Sequence, residues 1–223
     1  MQSAVTPPRP AWLTGALWLL VALLLAAFAA LAYGVYRHHV FGFDTAVLRF
    51  CHRHVTPART DVARALSFIG EPTSLGPATL IIVLLLAAVR RWLGAVLYAL
   101  QVGGAAALDL ATKALIQRPR PVLYPHLVHE TNFSFPSGHA MGGLAFFLAL
   151  HLLLWRTLPR RWRWLGLLGL ALAAVIGASR PYLQVHYPTD VLAGWAFGAG
   201  WTLALQLLLW RPGRARVARR ALG

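Results

Sequence analysis

The chain has 223 residues, of which 58% are hydrophobic and 12% are charged, and its formal net charge is +15. This composition excludes an ordinary soluble domain and indicates an integral membrane protein. The basic residues cluster in short flanks between apolar runs, with neither zinc-ligand spacing nor a basic helix face. We therefore expect them to orient the chain in a bilayer and not to bind nucleic acid. A single cysteine, Cys51, excludes an internal disulfide framework and a zinc site built from cysteines.

The N-terminal residues, 1–10, contain three prolines and form a predicted cytoplasmic tail. Residues 11–36 carry no charge over more than the ~20 residues that cross a bilayer, which predicts the first of six transmembrane helices. Ala30-Leu31-Ala32 resembles a signal-peptidase site, so cleavage is the alternative, although the apolar run is longer than a typical signal-peptide core.

Residues 37–70 mix charged residues with large apolar side chains such as Phe41, Phe50 and Phe68. This pattern predicts one or two amphipathic helices in the membrane interface on the extracytoplasmic side. Histidines at four positions suggest a metal site, but no carboxylate or cysteine stands at a recognisable ligand spacing from them. A solvated interfacial face is therefore the preferred interpretation. The four are His38, His39, His52 and His54.

Five further apolar runs predict the other spans of a single domain covering 11–210. They lie at about 72–89, 92–116, 139–155, 162–178 and 191–210. The third span carries Asp109 and Lys113 at i, i+4, a spacing that a local ion pair explains. A basic cytoplasmic tail, 211–223, follows the last span. The predicted fold class is therefore an all-α integral membrane protein with six transmembrane helices and an interfacial helical segment between spans 1 and 2.

The distribution of lysine and arginine predicts the orientation of these spans. With the N-terminus in the cytoplasm, twelve of the 21 lysine and arginine residues lie on the cytoplasmic side. Nine lie on the extracytoplasmic side, and four of these belong to the polar motifs described below, which leaves five in ordinary loops. The positive-inside rule favours this arrangement. It predicts a multi-pass protein of the cytoplasmic (inner) membrane with its polar motifs on the extracytoplasmic face.

Three polar motifs stand at the ends of apolar runs, at 113–121, 135–139 and 179–190. The middle one places Ser137 and Gly138 at a predicted helix N-terminus, whose free N–H groups favour an anion. Arginine forks and helix-end N–H groups match the oxygens of a phosphate group, so the motifs predict a phosphate site. Their cations are Lys113, Arg118, Arg120 and Arg180.

Two histidines and a carboxylate supply what phosphate-ester cleavage needs. His186, held by Asp190 through one ring nitrogen, would present a neutral lone pair to phosphorus, and His139 would protonate the leaving oxygen. The set predicts a metal-free site without a cofactor. Each residue also has an ordinary structural explanation: Asp190 as a first-turn helix carboxylate, His186 as a loop hydrogen-bonding residue, and Arg118 as a contact to lipid headgroups.

The spacing of the three motifs is that of a known family. Residues 113–121 fit K-x6-R-P, 136–139 read P-S-G-H, and 179–190 fit S-R-x5-H-x3-D, with all eleven specified positions present. This pattern resembles the type 2 phosphatidic acid phosphatase (PAP2) superfamily of membrane lipid phosphatases, whose signature is shared with vanadium haloperoxidases.

The resemblance implies that His186 is a nucleophile that forms a phosphohistidine, that Asp190 orients it, and that His139 is the general acid. It also implies that five residues bind the phosphoryl oxygens: Lys113, Arg120, Ser137, Gly138 and Arg180. Arg118 lies inside the x6 gap, so its role stays open. The linker 122–135 carries three residues that could shape substrate access, namely His126, His129 and Glu130.

The predicted function is hydrolysis of a lipid phosphate or diphosphate, with the lipid tails entering between spans. Family substrates include undecaprenyl diphosphate, phosphatidylglycerol phosphate, phosphatidate and lipid A phosphates, and the motifs do not choose among them. A lipid phosphotransferase is the first alternative, because only its products differ. A soluble haloperoxidase is disfavoured by the spans, and an anion transporter by the gathering of charge at one face without a repeat. The expected partners are a lipid phosphate and the bilayer; the oligomeric state stays open.

Overall fold

The computed structural model describes residues 10–39 and 41–209, and every regular element within them is helical. The α-helices of this part are α1 (Ala11–Tyr36), α2 (Gly42–Arg53), α3 (Pro57–Gly70), α4 (Pro72–Ala88), α5 (Trp92–Ile116), α6 (Gly138–Thr157), α7 (Trp164–Tyr182) and α8 (Pro188–Leu209). A short 3₁₀ helix, Arg160–Trp162, precedes α7. Apart from Pro10, the predicted tails lie outside the described residues, as does the last residue of the predicted sixth span.

Five helices of the described chain are long and apolar enough to cross a membrane: α1, α5, α6, α7 with its preceding 3₁₀ turn, and α8. A sixth span results if α3 and α4 are taken together, as a pair bent by 42° at their junction. The prediction of an all-α, multi-pass membrane protein is confirmed.

The bend between α3 and α4 falls at Glu71, whose backbone is extended, and Pro72, the first residue of α4. Proline has no N–H to donate and disfavours a helical conformation in the residue before it, so α3 ends there. Because α4 alone has only 17 residues, the predicted span at 72–89 covers just the second part of this bent pair.

Helices α2 and α3 occupy the segment that the sequence predicts to be amphipathic. Phe43 and Phe50 of α2 are exposed, whereas Asp44 and Leu48 on its other face are buried. The buried faces of α2 and α3 pack against α7, and α2 also contacts α8. Both helices therefore cover the end of the bundle at which α7 ends and α8 begins.

Helix α6 is central and packs against α5, α7 and α8. Two glycines of α8 allow its close contact with α6, because a Cβ at Gly194 would lie 2.8 Å from the carbonyl oxygen of Ser137 and one at Gly198 would lie 2.6 Å from that of Met141. The first turns of the two helices are consequently held together, and the Ser137 N–H donates to the carbonyl of Asp190 at 3.1 Å.

Candidate active site

The three polar motifs meet at one end of the helix bundle. This end is built by the C-termini of α5 and α7, the N-termini of α6 and α8, and the loops 117–137 and 183–187. The structure brings together all eight residues for which the sequence predicts a role in catalysis or phosphate binding, while the roles themselves stay predictions. These residues are Lys113, Arg120, Ser137, Gly138, His139, Arg180, His186 and Asp190.

Asp190 lies in the first turn of α8, which begins at Pro188. Its Oδ2 accepts hydrogen bonds from the backbone N–H of Tyr187 at 2.9 Å and from the hydroxyl of Ser134 at 2.5 Å. A carboxylate that reaches back to the N–H preceding its own helix is the arrangement of a capping box. Asp190 is therefore a helix cap, and the same oxygen lies 3.5 Å from Nδ1 of His186.

The His186 ring is held between Asp190 and a cation. Arg120 donates from Nη1 toward Nε2 of His186 at 3.2 Å, which makes Nε2 the nitrogen with the lone pair and assigns the ring proton to Nδ1. Burial, followed by the positive charges of Arg180 and Arg120, lowers the pKa of His186 well below its ordinary value. The imidazole is thus neutral at neutral pH, as a nucleophile must be.

His139 is linked to a second arginine through a serine that the sequence did not single out. Ser67 of α3 lies with its Oγ 3.3 Å from Nε2 of His139, and Arg180 donates to the same hydroxyl. Arg180 is fully buried at the end of α7. The bent pair α3–α4 consequently supplies one of the contacts that orient His139.

Lys113 lies beside the start of α6. Its ammonium group donates to Oδ1 of Asp109 at 2.5 Å, the i, i+4 pair that the sequence suggests, and to the carbonyl of Pro136 at 2.7 Å. A Cβ at Gly138 would lie 2.9 Å from Oδ2 of Asp109. Glycine at this position therefore lets the N-terminus of α6 approach the cation.

Glu130 joins the two arginines of the predicted phosphate site. Its carboxylate accepts from Nη2 of Arg120 at 3.3 Å and from Arg180. Of the other two linker residues, His126 lies with Nε2 2.7 Å from the carbonyl of Pro121, and His129 is exposed. The structure thus brings Glu130 into the site and leaves His129 at the surface.

Three buried polar atoms at this end have no hydrogen-bond partner among the described residues: Oγ of Ser137, Nε of Arg180 and Oε1 of Gln184. The first two belong to residues for which phosphate binding is predicted. Because buried polar groups are usually paired, such unpaired atoms favour binding of a further polar ligand here.

Four residues hold the site together although the sequence predicts no role for them. They are Asp44, Ser67, Arg118 and Ser134. Asp44 is buried on α2, with Oδ2 2.9 Å from Nη2 of Arg118. Its position one helical turn before buried Leu48, on the opposite face from exposed Arg49 and Arg53, is a signal that could have identified it.

An apolar pocket of about 530 Å³ adjoins the site. It lies between α4, α5 and α6 and reaches Gly138 at the start of α6. Asp109 is the one charged residue among those that line it in the described part of the chain. Gly103 and Gly142 leave open space where a side chain would project. The pocket therefore has the chemistry of a lipid-tail site next to the cluster of cations.

No group of three or more His, Cys, Asp or Glu side chains is placed to hold a metal ion within residues 10–39 and 41–209. The four interfacial histidines thus form no such cluster there. His52 instead stacks on Tyr124 with ring centroids 3.6 Å apart.

Comparison with known proteins identifies the family. The model of the PAP2 superfamily matches residues 92–214, which include all three motifs. The chain belongs to the PAP2 superfamily. Its similarity to curated PAP2 phosphatases extends beyond the motifs: it is 32% identical over 181 residues to phosphatidylglycerophosphatase B of Bacillus subtilis, an alignment that covers 78% of this chain and 87% of the relative.

A second relative of this PAP2 chain is undecaprenyl-diphosphatase of Sulfolobus acidocaldarius, with 42% identity over 69 residues, 31% of this chain and 30% of the relative. Among solved structures, the transmembrane PAP2-type phosphatidylglycerolphosphate phosphatase from Bacillus subtilis superimposes with a TM-score of 0.75 at 28% identity. That match covers 83% of this chain and 94% of the other. The PAP2 fold thus extends over most of the described helices.

Proposed function

We propose that this PAP2 protein hydrolyses a lipid phosphate or diphosphate through a phosphohistidine on His186. The observation that carries the proposal is the position of the His186 ring: Nε2 lies against Arg120, while Nδ1 lies 3.5 Å from Oδ2 of Asp190 and 3.4 Å from Oγ of Ser134. A neutral imidazole held in this way, within a group of buried cations, is suited to attack a phosphoryl group.

In the first step, Arg120 turns from Nε2 to the phosphoryl oxygens, Nε2 attacks phosphorus, and the bond from phosphorus to the leaving oxygen breaks. His139 in its imidazolium form donates a proton to that oxygen and becomes neutral. The N–H at Nδ1 of His186 stays on the side of Asp190, whose carboxylate stabilises the developing positive charge. In the second step, water attacks the phosphohistidine, His139 accepts a proton from the water, and inorganic phosphate leaves. Nε2 thereby regains its lone pair.

The phosphoryl oxygens are bound by Lys113, Arg120 and Arg180, with the hydroxyl of Ser137 and the N-terminus of α6 at Gly138. The unpaired Ser137 hydroxyl and Arg180 Nε support this role. Arginine and lysine placed before the reaction can stabilise the charge on the transferred group without reorganising. Lys113, Arg120 and Arg180 supply the positive charge that this stabilisation needs, so we propose that turnover needs no metal ion.

The apolar pocket beside Gly138 supports a lipid as the substrate. Two relatives are named for phosphatidylglycerophosphate and undecaprenyl diphosphate, respectively. Both lipids are therefore candidate substrates here, together with phosphatidate. The distribution of lysine and arginine supports a location in the inner membrane with the site on the extracytoplasmic face.

The test is phosphate release from phosphatidylglycerol phosphate, undecaprenyl diphosphate and phosphatidate, in detergent with EDTA. The wild type is compared with His186→Ala and with His54→Ala, a matched change of the exposed histidine that follows α2. We expect release from at least one lipid that His186→Ala abolishes and His54→Ala retains. Loss of activity in EDTA, restored by Mg²⁺, would contradict the metal-free mechanism. Transfer to an added acceptor lipid without phosphate release would favour a phosphotransferase instead.

A further inference from the structure

Arg118, the residue inside the x6 gap of the first motif, joins two buried carboxylates. It donates from Nη1 to Oδ1 of Asp190 at 2.5 Å and from Nη2 to Oδ2 of Asp44 at 2.9 Å. The side chains of Arg118, Asp44 and Asp190 are 12%, 4% and 0% exposed. The planar fork of arginine presents its two terminal nitrogens to the two carboxylates in a fixed geometry, which the single ammonium group of lysine does not.

Asp44 also binds the first turn of α8. Its Oδ1 accepts from the Thr189 N–H at 2.8 Å and its Oδ2 from the Thr189 hydroxyl at 2.7 Å. That N–H is among the first of the helix and has no intrahelical partner. Asp44 of α2 thus caps the turn that carries Asp190, while Arg118 lies 3.9 Å from the ring centre of Tyr187.

We propose that Asp44 and Arg118 are positioning residues that fix Asp190 and, through it, the imidazole of His186. The inference rests on the proposed function, since it gives Asp190 a partner in the same reaction. The distance of 3.5 Å between Asp190 and His186 leaves little tolerance for rotation of the carboxylate. The interfacial helix α2 is thereby coupled to the reacting imidazole.

A role in stability alone makes a different prediction. A buried ion pair is weak evidence for a gain in stability, because desolvation offsets much of the attraction. If Arg118 only stabilised the fold, its replacement would lower the unfolding temperature and leave the pH dependence of turnover unchanged. If it sets the charge that His186 experiences, the pH profile must move.

The direction of that movement follows from the groups around His186. Cations approach from α5, from the α5–α6 loop and from α7, and they are Lys113, Arg120 and Arg180. The imidazole of His139 approaches from α6 and the carboxylate of Asp190 from α8. Arg118 partly neutralises Asp190. Without it, the negative potential at the imidazole increases, which favours the protonated ring. The acidic limb of kcat/KM therefore moves to higher pH.

The experiment compares Arg118→Gln and Arg118→Lys with the wild type over a range of pH. Arg49→Gln, at an exposed arginine of α2, is the matched control for these changes. Asp61→Asn, at a carboxylate of α3 that is 75% exposed, is the control for the loss of an aspartate. We expect kcat of Arg118→Gln to fall ~10- to 100-fold with little change in KM. We also expect the acidic limb of its kcat/KM profile to move to higher pH. Arg118→Lys keeps the charge but loses the fork, so its kcat falls while the limb stays in place. An unchanged kcat and pH profile in folded Arg118→Gln would overturn the proposal, as would a loss confined to KM.

Asp44→Asn provides a second test, because its side-chain oxygen can still accept from Thr189. If Asp44 acts through Arg118, Asp44→Asn lowers kcat in the wild type but adds little in Arg118→Gln. Fully additive losses would contradict a shared role. Should the wild type release no phosphate, the proposed function fails while the positioning role remains measurable. The pKa of the His186 ring, followed by NMR and assigned by the loss of its signal in His186→Asn, must then still rise in Arg118→Gln. An unchanged pKa overturns the positioning role.

Discussion

Arg180 and Glu130 form an ion pair within the candidate site, although Arg180 is fully buried at the end of α7 and Glu130 comes from the linker between α5 and α6. The same carboxylate also binds Arg120. Glu130 therefore occupies one N–H-bearing nitrogen of each arginine that the proposed phosphate site uses. Under that proposal, we expect substrate to compete with Glu130 for both arginines.

Replacing Glu130 by glutamine tests this competition. The amide keeps the size of the side chain but removes its charge, so the arginines hold their anionic ligands more tightly. We expect the inhibition constant of vanadate to fall by about tenfold, since a hydrogen bond to a charged group contributes ~1.5–3 kcal/mol. Asp61→Asn, with its exposed carboxylate, should leave the constant unchanged. Weaker inhibition in Glu130→Gln would show instead that Glu130 holds the arginines in their productive positions.

The apolar pocket predicts a selective effect of Gly142→Leu. A side chain at this position projects into open space, so the fold should tolerate it while the lipid tail loses room. We expect kcat/KM for the lipid substrate to fall by tenfold or more and that for p-nitrophenyl phosphate, which has no tail, to stay within twofold. Gly15→Leu on α1, also open to its surroundings, is the matched control. Equal losses on both substrates would contradict a tail site in this pocket.

Ser67→Ala removes the hydroxyl that joins Arg180 to His139. One N–H of a buried guanidinium is then left without its partner, at a cost of ~1–3 kcal/mol. We expect kcat/KM to fall by about tenfold and the unfolding temperature to fall slightly. Ser74→Ala removes a comparable serine bond, to the carbonyl of Phe68, and should retain activity. If the two variants behave alike, Ser67 has no specific part in the site.

The depressed pKa of His186 makes stability depend on pH. Between this pKa and the value of ~6.5 in the unfolded chain, the unfolded state binds more protons than the folded state. The contribution of His186 to the free energy of unfolding is thus complete above about pH 6.5 and is lost as the pH falls toward the folded-state pKa. Thermal unfolding of wild type and His186→Gln from pH 8 to pH 4.5 measures this contribution. We expect only the wild type to lose this component on acidification, whereas parallel curves would contradict a depressed pKa.

The sequence predicts the membrane fold and the meeting of the three motifs because both depend on local pattern. Apolar length indicates the spans, and the number of spans between the motifs puts all three at helix ends on one face of the bilayer. The kink at Pro72 is also visible locally, but the joining of α3 and α4 into one bent pair depends on how α3 packs against α7.

The contacts of Asp44, Ser67 and Arg118 could not be predicted in the same way. Asp44 meets Thr189 across 145 residues of sequence, and Ser67 meets Arg180 across 113. No helical period or motif spacing relates such positions. The helical period could place Asp44 on the buried face of α2, but it could not identify Thr189 or Arg118 as its partners.

The most direct test of the central claim is to trap the phosphorylated enzyme. A lipid substrate labelled with ³²P in its terminal phosphate is mixed with the wild type and quenched in base within milliseconds, and the labelled peptide is then identified. We expect acid-labile, base-stable label on His186, formed at least as fast as turnover, and none in His186→Gln. Turnover without any label on His186, or the same label in His186→Gln, would contradict the phosphohistidine mechanism.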